Sequence, residues 1–454
     1  MALRPELLVA LLVLMPLLGS AFALVIPADD RLTLRAVGVV TGLLTLIPAF
    51  ALLATPGASL PLPFLAGSVS LRFAGVAIPA ALAIVGITPM ALRAGAPRVA
   101  RGLQPYVTAI LLAESGALFV VLVDDVVTAT AAAMVAAVPF FALVALFGGP
   151  ERGSVTSRAA GLWLLVDAAA LGALVIVQGA PAASVHPVVV VALLGPGLVR
   201  LAAGPHGLWA LPLIEQAPVA AACLMGGLVA PVGAVLLTRA LAVIDPGSLA
   251  VLVPSVAGVL AVACAVGGAL VVAERDLRRM VAHLLGALGA TTALIAICGP
   301  RPLDAVGLAA LTGFLAALCL MLVEAVERRL ETRRTTELVG LLLLAPSLGL
   351  LLPLSLLALC GLPGPGLGRA LWPPLLGLMG QGAETGAAAV VCGASLLLAS
   401  VGASGLLLRV GGVPRKRLRQ MVSVSLQQGI RLLLPLAAAV AAVAAHGAVM
   451  RVAS

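Results

Sequence analysis

Six ionisable residues sit in or beside long apolar stretches of this chain: Glu114, Asp167, Arg200, Glu215, His283 and Arg369. A charge inside hydrocarbon is costly, so such residues are candidates for an ion path, a buried ion pair or a counter-charge to something transported. A carboxyl such as Glu114 or Asp167 can bind and release a proton or pair with a cation, and His283 either exchanges a proton near neutral pH or packs as an interior histidine. Glu215 shares a more polar connection with His206 and Trp209. Asp124 and Asp125 end an apolar run and read as boundary residues. The two arginines follow near-identical motifs, Gly195-Pro196-Gly197-Leu198-Val199-Arg200 and Gly364-Pro365-Gly366-Leu367-Gly368-Arg369. Each Gly-Pro-Gly is expected to interrupt a helix and free backbone groups that hydrocarbon tolerates only inside protein or beside water. Arginine keeps its charge, whereas lysine can be tuned to exchange a proton, and the chain's single lysine, Lys416, lies in a loop. Arg200 and Arg369 can therefore gate or anchor but not relay.

The elements that must position these groups are membrane helices. The 454 residues are 62% hydrophobic and 10% charged, with a mean hydropathy of +1.22, far outside the soluble range. Runs long enough to cross about 30 Å of hydrocarbon fall at 5–27, 36–56, 73–93, 104–123, 126–147, 159–179, 187–204, 218–240, 248–272, 277–299, 303–324, 339–379 with an internal break, 384–409 and 430–451, which makes fourteen expected spans. Twenty of the 27 basic residues lie in the loops that follow odd-numbered spans or in the span ends that border those loops. Basic residues collect on the cytoplasmic side, so the bias fits fourteen crossings with both termini periplasmic, in a bacterial inner membrane. A rival reading takes residues 1–23 as a cleaved secretory signal, because Arg4, an apolar run and Ala21-Phe22-Ala23 imitate one. The run continues to Pro27, and losing that span would break the parity, so an uncleaved first helix is expected.

The net charge of +9 then reflects topology, not nucleic-acid binding, and 3% aromatics are too few for base-stacking platforms. The six cysteines are scattered with no C-x-x-C pair, so no metal or cluster site is expected. No linker or soluble module is visible, and residues 1–454 read as one polytopic membrane domain. If 104–240 and 248–409 are two five-helix repeats, each interrupted span is the fourth member of its unit, and an odd number of crossings inverts one unit relative to the other.

Several of these stretches are similar to one family: the antiporter-like subunits of NADH:quinone oxidoreductase (complex I), especially subunit M, with relatives in Mrp antiporters and membrane-bound hydrogenases. Leu111-Leu112-Ala113-Glu114-Ser115-Gly116, then Asp125 and Pro139, resembles its fourth and fifth helices. Arg200, Pro205, Trp209, Ala217 and Pro218 resemble the spacing from its seventh-helix lysine through a Pro-Trp-Ala-Pro connection. Leu237-Thr238-Arg239, Asp276-Leu277-Arg278-Arg279-Met280-Val281-Ala282 and Gly361-Leu362-Pro363-Gly364 resemble its eighth, tenth and twelfth helices. No single motif is specific; their order and spacing are.

The resemblance implies an all-α membrane fold of about fourteen helices, with two inverted five-helix repeats and broken seventh and twelfth helices. It also implies other membrane-arm subunits as partners, H⁺ or Na⁺ as the ion, and no cofactor or metal held by this subunit. The departures bear on function. The family's fifth-helix glutamate falls on Met134, its seventh-helix lysine on Arg200, its eighth-helix lysine near Ala230 or Pro231, and its tenth-helix histidine on Leu288, while its twelfth-helix charge is matched only by Arg369 or Leu371. The expectation is a membrane-arm subunit of a proton-translocating NADH:quinone oxidoreductase-type complex with a degenerate proton path. The alternatives are an Mrp-type or hydrogenase subunit, a stand-alone transporter holding an anion between the two broken helices, and an inert scaffold.

Overall fold

In a computed structural model, the described residues are 4–62, 69–179, 186–204, 209–363 and 367–412. The chain is an all-α membrane protein: eleven helices among the described residues are long and apolar enough to cross a membrane. The long helices of the first half are α1 (Pro5–Val25), α2 (Arg31–Leu52), α3 (Ala77–Gly95), α4 (Leu103–Leu122), α5 (Val126–Phe147) and α6 (Arg152–Gly179). Then come three short helices, α7 (Pro187–Arg200), α8 (Ala210–Gln216) and α9 (Val219–Leu224). A π-turn, Met225–Val229, joins α9 to α10 (Ala230–Val243). The second half holds α11 (Pro246–Ala273), α12 (Leu277–Cys298), α13 (Pro302–Leu330), the single turn α14 (Leu341–Leu344), α15 (Pro346–Leu359), α16 (Leu367–Met379) and α17 (Ala383–Val410). One antiparallel hairpin, Ala58–Pro61 with Ser70–Phe73, lies between α2 and α3.

Helix starts follow the side chains. Asp30, Asp125, Asp245 and Asp276 each precede a helix and accept backbone N–H bonds from its first turn, which satisfies donors the helix itself leaves open. Burial separates a centre from a rim. Every residue of 219–238 is buried and nearly every residue of α12 is, whereas most residues of α11 and α6 are not. The centre is α3, α4, the α9–α10 stretch, α12 and α13, where α13 packs on α3 and on the π-turn. Along the rim, apolar side chains such as Val175, Val251 and Leu408 stay exposed, as suits helices solvated by lipid tails.

Both spans expected to be interrupted are interrupted, but not as the sequence reading placed the first. Helix α7 runs unbroken through Gly195-Pro196-Gly197 and stops at Arg200. Proline costs a helix one N–H and a clash with the carbonyl four residues back, and the glycines on either side remove further bulk there. The interruption lies beyond Arg200, where Ala202 takes a left-handed conformation (φ 55°). In the other span, α15 ends at Leu359 and Gly361 takes φ 68°. Gly364–Gly366 themselves lie outside the described residues, as do His206, Lys416 and the expected span 430–451.

Candidate functional site

Arg200, the last residue of α7, is the best-held charge in the interior. Glycines set its depth: α7 and α10 approach so closely that a Cβ on Gly233 would sit 2.7 Å from Arg200 Cβ and 3.0 Å from the Gly197 oxygen. From there the guanidinium reaches α5 and α6. Its Nη1 donates to Asp167 Oδ1 at 2.7 Å and its Nη2 to Asp167 Oδ2 at 2.6 Å, a two-pronged pair. The same nitrogens donate to the carbonyls of Pro196 (3.2 Å) and Ala133 (3.3 Å). Both side chains are almost sealed, at 2% and 1% exposure.

Aromatic side chains close the pocket around this pair. The Arg200 guanidinium carbon lies 4.8 Å from the centre of the Trp163 ring, within cation–π range. Trp163 meets Trp209 edge-on at 5.2 Å and stacks on Phe140 at 6.0 Å. Trp209 precedes α8, so the far side of the interruption is linked to Arg200, which ends the near side, through the Trp163 ring between them. Arg200 also benefits from the negative end of the α7 dipole.

Two of the other sequence candidates lie elsewhere. Glu215 on α8 pairs with Arg279 of α12, and His283 Nε2 stands 3.8 Å from Glu274 Oε2. Both belong to a cluster at one end of the centre. There Arg278 binds Glu324 Oε2 at 2.7 Å and Glu327 at 3.2 Å, and donates to the Ala217 carbonyl at 3.0 Å. Arg333 bridges Asp276 and Glu327. Glu114 is alone in the apolar part of α4: it is fully buried, and among the described residues neither carboxyl oxygen has a hydrogen-bond partner. Its neighbour Thr88 donates its hydroxyl proton to the Ile84 carbonyl. Arg369 on α16 is exposed.

The structure therefore unites Asp167 with Arg200 and keeps Glu114, Glu215, His283 and Arg369 apart from them. An anion cradle between the two arginines loses its basis, because the charge and terminal N–H groups of Arg200 are already committed to Asp167 and two carbonyls. Sequence reasoning missed three features. Glu324, the buried partner of Arg278, sat unremarked as the last residue of an apolar run. Arg239 donates to the Val120 and Val121 carbonyls at 2.6 and 2.7 Å, capping the end of α4, and only its place in an apolar run could have signalled this. At the same edge, burial raises the Asp124 carboxyl, but the Ser70 backbone and hydroxyl donors outweigh it and hold the group below its ordinary value. The third is the π-turn 225–229, which no residue pattern announced.

No protein-family model matches the sequence, and no curated protein does. The fold, in contrast, is shared with chains of solved membrane complexes. A chain of respiratory complex I from Thermus thermophilus, solved with bound NADH, superposes with a TM-score of 0.80 at 20% identity over 98% of this chain and 99% of that one. A chain of the membrane-bound sulfane sulfur reductase, an archaeal respiratory membrane complex, gives 0.82 at 16% identity over 98% and 96%. A chain of the Mrp complex from a Dietzia species gives 0.81 at 17% identity over 99% and 96%. This end-to-end likeness shows that the chain shares the all-α membrane fold of these subunits.

Proposed function

We propose that this chain is an antiporter-like membrane-arm subunit of a proton-translocating NADH:quinone oxidoreductase-type complex, in which the proton path is degenerate. It spans a bacterial inner membrane with both termini periplasmic, its partners are the neighbouring membrane subunits, and H⁺ is the ion. Residues 104–240 and 248–409 act as inverted units, a reading supported by one interruption in each.

The observation that carries the proposal is the Arg200–Asp167 pair. Where the resembled family has a titratable seventh-helix lysine facing a fifth-helix glutamate, this chain has an arginine, and Met134 stands at the glutamate position. Helix α5 offers Arg200 only the Ala133 carbonyl, and the carboxylate comes from α6. An arginine in such a pair does not give up its proton at any physiological pH, and a buried, satisfied pair is costly to open. The pair thus joins α5, α6 and α7 as a fixed strut and does not pass protons along.

Two measurements test this. The tagged chain, solubilised gently from its native membranes, is expected to come out with other respiratory membrane subunits; recovery alone, with transport activity of its own, overturns the assignment. In vesicles holding the whole complex, Glu114→Gln is expected to leave the protons moved per electron pair unchanged. A drop equal to one subunit's share refutes the degenerate path.

A further inference from the structure

Beyond the ion pair, the interruption of α7 borders a small cavity, about 20 Å³ measured at the centre of a water-sized sphere. It lies where three parts of the centre meet: Arg200, Leu201 and Ala202 at the end of α7; Met225 and Ala230 at the π-turn; and Gly289, Thr292, Ala309 and Thr312 from α12 and α13. Space remains there because Ala230, Gly289 and Ala309 are small while the backbone of the break cannot follow α12 inward. A Cβ on Gly289 would already overlap the Leu201 carbonyl oxygen.

Among the described residues, the polar groups at this cavity are not all satisfied. Thr312 is 3% exposed, and its Oγ1 has no hydrogen-bond partner among the described residues. Thr292, 1% exposed, adds a second hydroxyl. Among the described residues no backbone N–H donates to the Leu201 carbonyl, and Leu201 lines the cavity beside Gly289. A buried hydroxyl or carbonyl without a partner costs about 1–3 kcal/mol. A cavity of about 10–15 Å³ on the same measure holds one water, which needs two to four polar partners.

We propose that this cavity is a built site for a single ordered water, which bridges Thr312 Oγ1 and the Leu201 carbonyl, with Thr292 as a third partner. The ligand is neutral for electrostatic reasons. A cation would find no carboxylate among the described residues that line the cavity, and the residue that carries charge there, Arg200, is a cation itself. An anion would find the guanidinium's charge cancelled by Asp167 and its two terminal nitrogens spent on four hydrogen bonds. Water donates to the carbonyl and either donates to or accepts from a hydroxyl, so it meets every group at the site. It adds a hydrogen-bonded link from the end of the first interrupted span to α13 through Thr312.

The test combines an image with a pair of substitutions. A map of the intact complex that resolves ordered waters is expected to show one density about 2.6–3.2 Å from Thr312 Oγ1. A dry cavity overturns the proposal, and so does a ligand at cation distances of about 2.3–2.6 Å. In the purified complex, Thr312→Val is expected to lower the melting midpoint of this subunit by about 2 °C, while Thr312→Ser leaves it unchanged. A midpoint that rises or stays level in Thr312→Val means that the hydroxyl had nothing to bind. Equal losses in both variants mean that the methyl group, not the hydroxyl, matters. Either result refutes the water site and leaves the assignment of the subunit to its complex intact.

Discussion

The two interrupted spans make the same backbone turn and treat their arginines in opposite ways. In each, a helix ends and a residue in the left-handed region follows: Ala202 after α7, Gly361 after α15. Arg200 stands at the C-terminal end of its half-helix, where the dipole favours a cation, and is buried on Asp167. Arg369 stands in the first turn of α16, where the dipole opposes a cation, and it is exposed. The backbone of an interruption and the charge it carries are thus separable. The first break is electrostatically closed within the chain; the second, among the described residues, is not.

The largest effect expected from this difference is at Arg200. Arg200→Gln leaves Asp167 as an unpaired buried carboxylate and should cost about 3–5 kcal/mol, read as a lower denaturation midpoint of the purified protein in detergent. Replacing both partners by apolar residues, Arg200→Met with Asp167→Leu, should recover most of that loss, because a well-packed apolar pair can equal a buried ion pair. If the double variant is as unstable as the single one, the pair does more than hold three helices together, and the strut reading fails.

Next in size are the turn residues, where the two breaks should respond with opposite signs. Ala202 bears a Cβ in the left-handed region, so Ala202→Gly should gain about 0.5–1 kcal/mol, the relief of that strain less the extra freedom of glycine in the unfolded chain. Gly361→Ala should lose about 1 kcal/mol by imposing the same strain. Thermal midpoints of the two variants measured side by side check this. A loss in both would show that Ala202 is held by its neighbours, as strained residues at functional sites are.

How much of this was legible beforehand varied with the length of sequence each feature needs. The membrane class, the long helices and the existence of two interruptions follow from hydropathy and from glycine and proline, which act over a few residues. The exact place of the first break did not follow. Gly-Pro-Gly reads as a helix breaker, yet α7 passes through it, because the cost of one lost N–H is small beside the packing of Gly197 against Leu237 and Gly233. The candidate charges were found individually, since an ionisable residue in an apolar run stands out. Their pairing was not, because Asp167 and Arg200 are 33 residues apart and nothing in a helical pattern says which face of α6 turns to α7. The hydroxyls of Thr292 and Thr312 were invisible, because threonine is common in membrane helices and only the shape of the cavity singles these two out.

The smallest effect expected is also the one that most sharpens the contrast between the breaks. An exposed side chain away from any special contact changes stability by no more than about 0.5 kcal/mol on substitution, and a cation at the start of a helix works against the dipole by about 0.3–1 kcal/mol. Arg369→Gln should therefore leave the stability of the purified protein unchanged or raise it slightly. The Arg200 and Arg369 variants, prepared and melted together, then differ by several kcal/mol for the same chemical change. If Arg369→Gln instead costs as much as Arg200→Gln, a counter-charge reaches Arg369 from outside the described residues, and the two breaks are electrostatic equals after all.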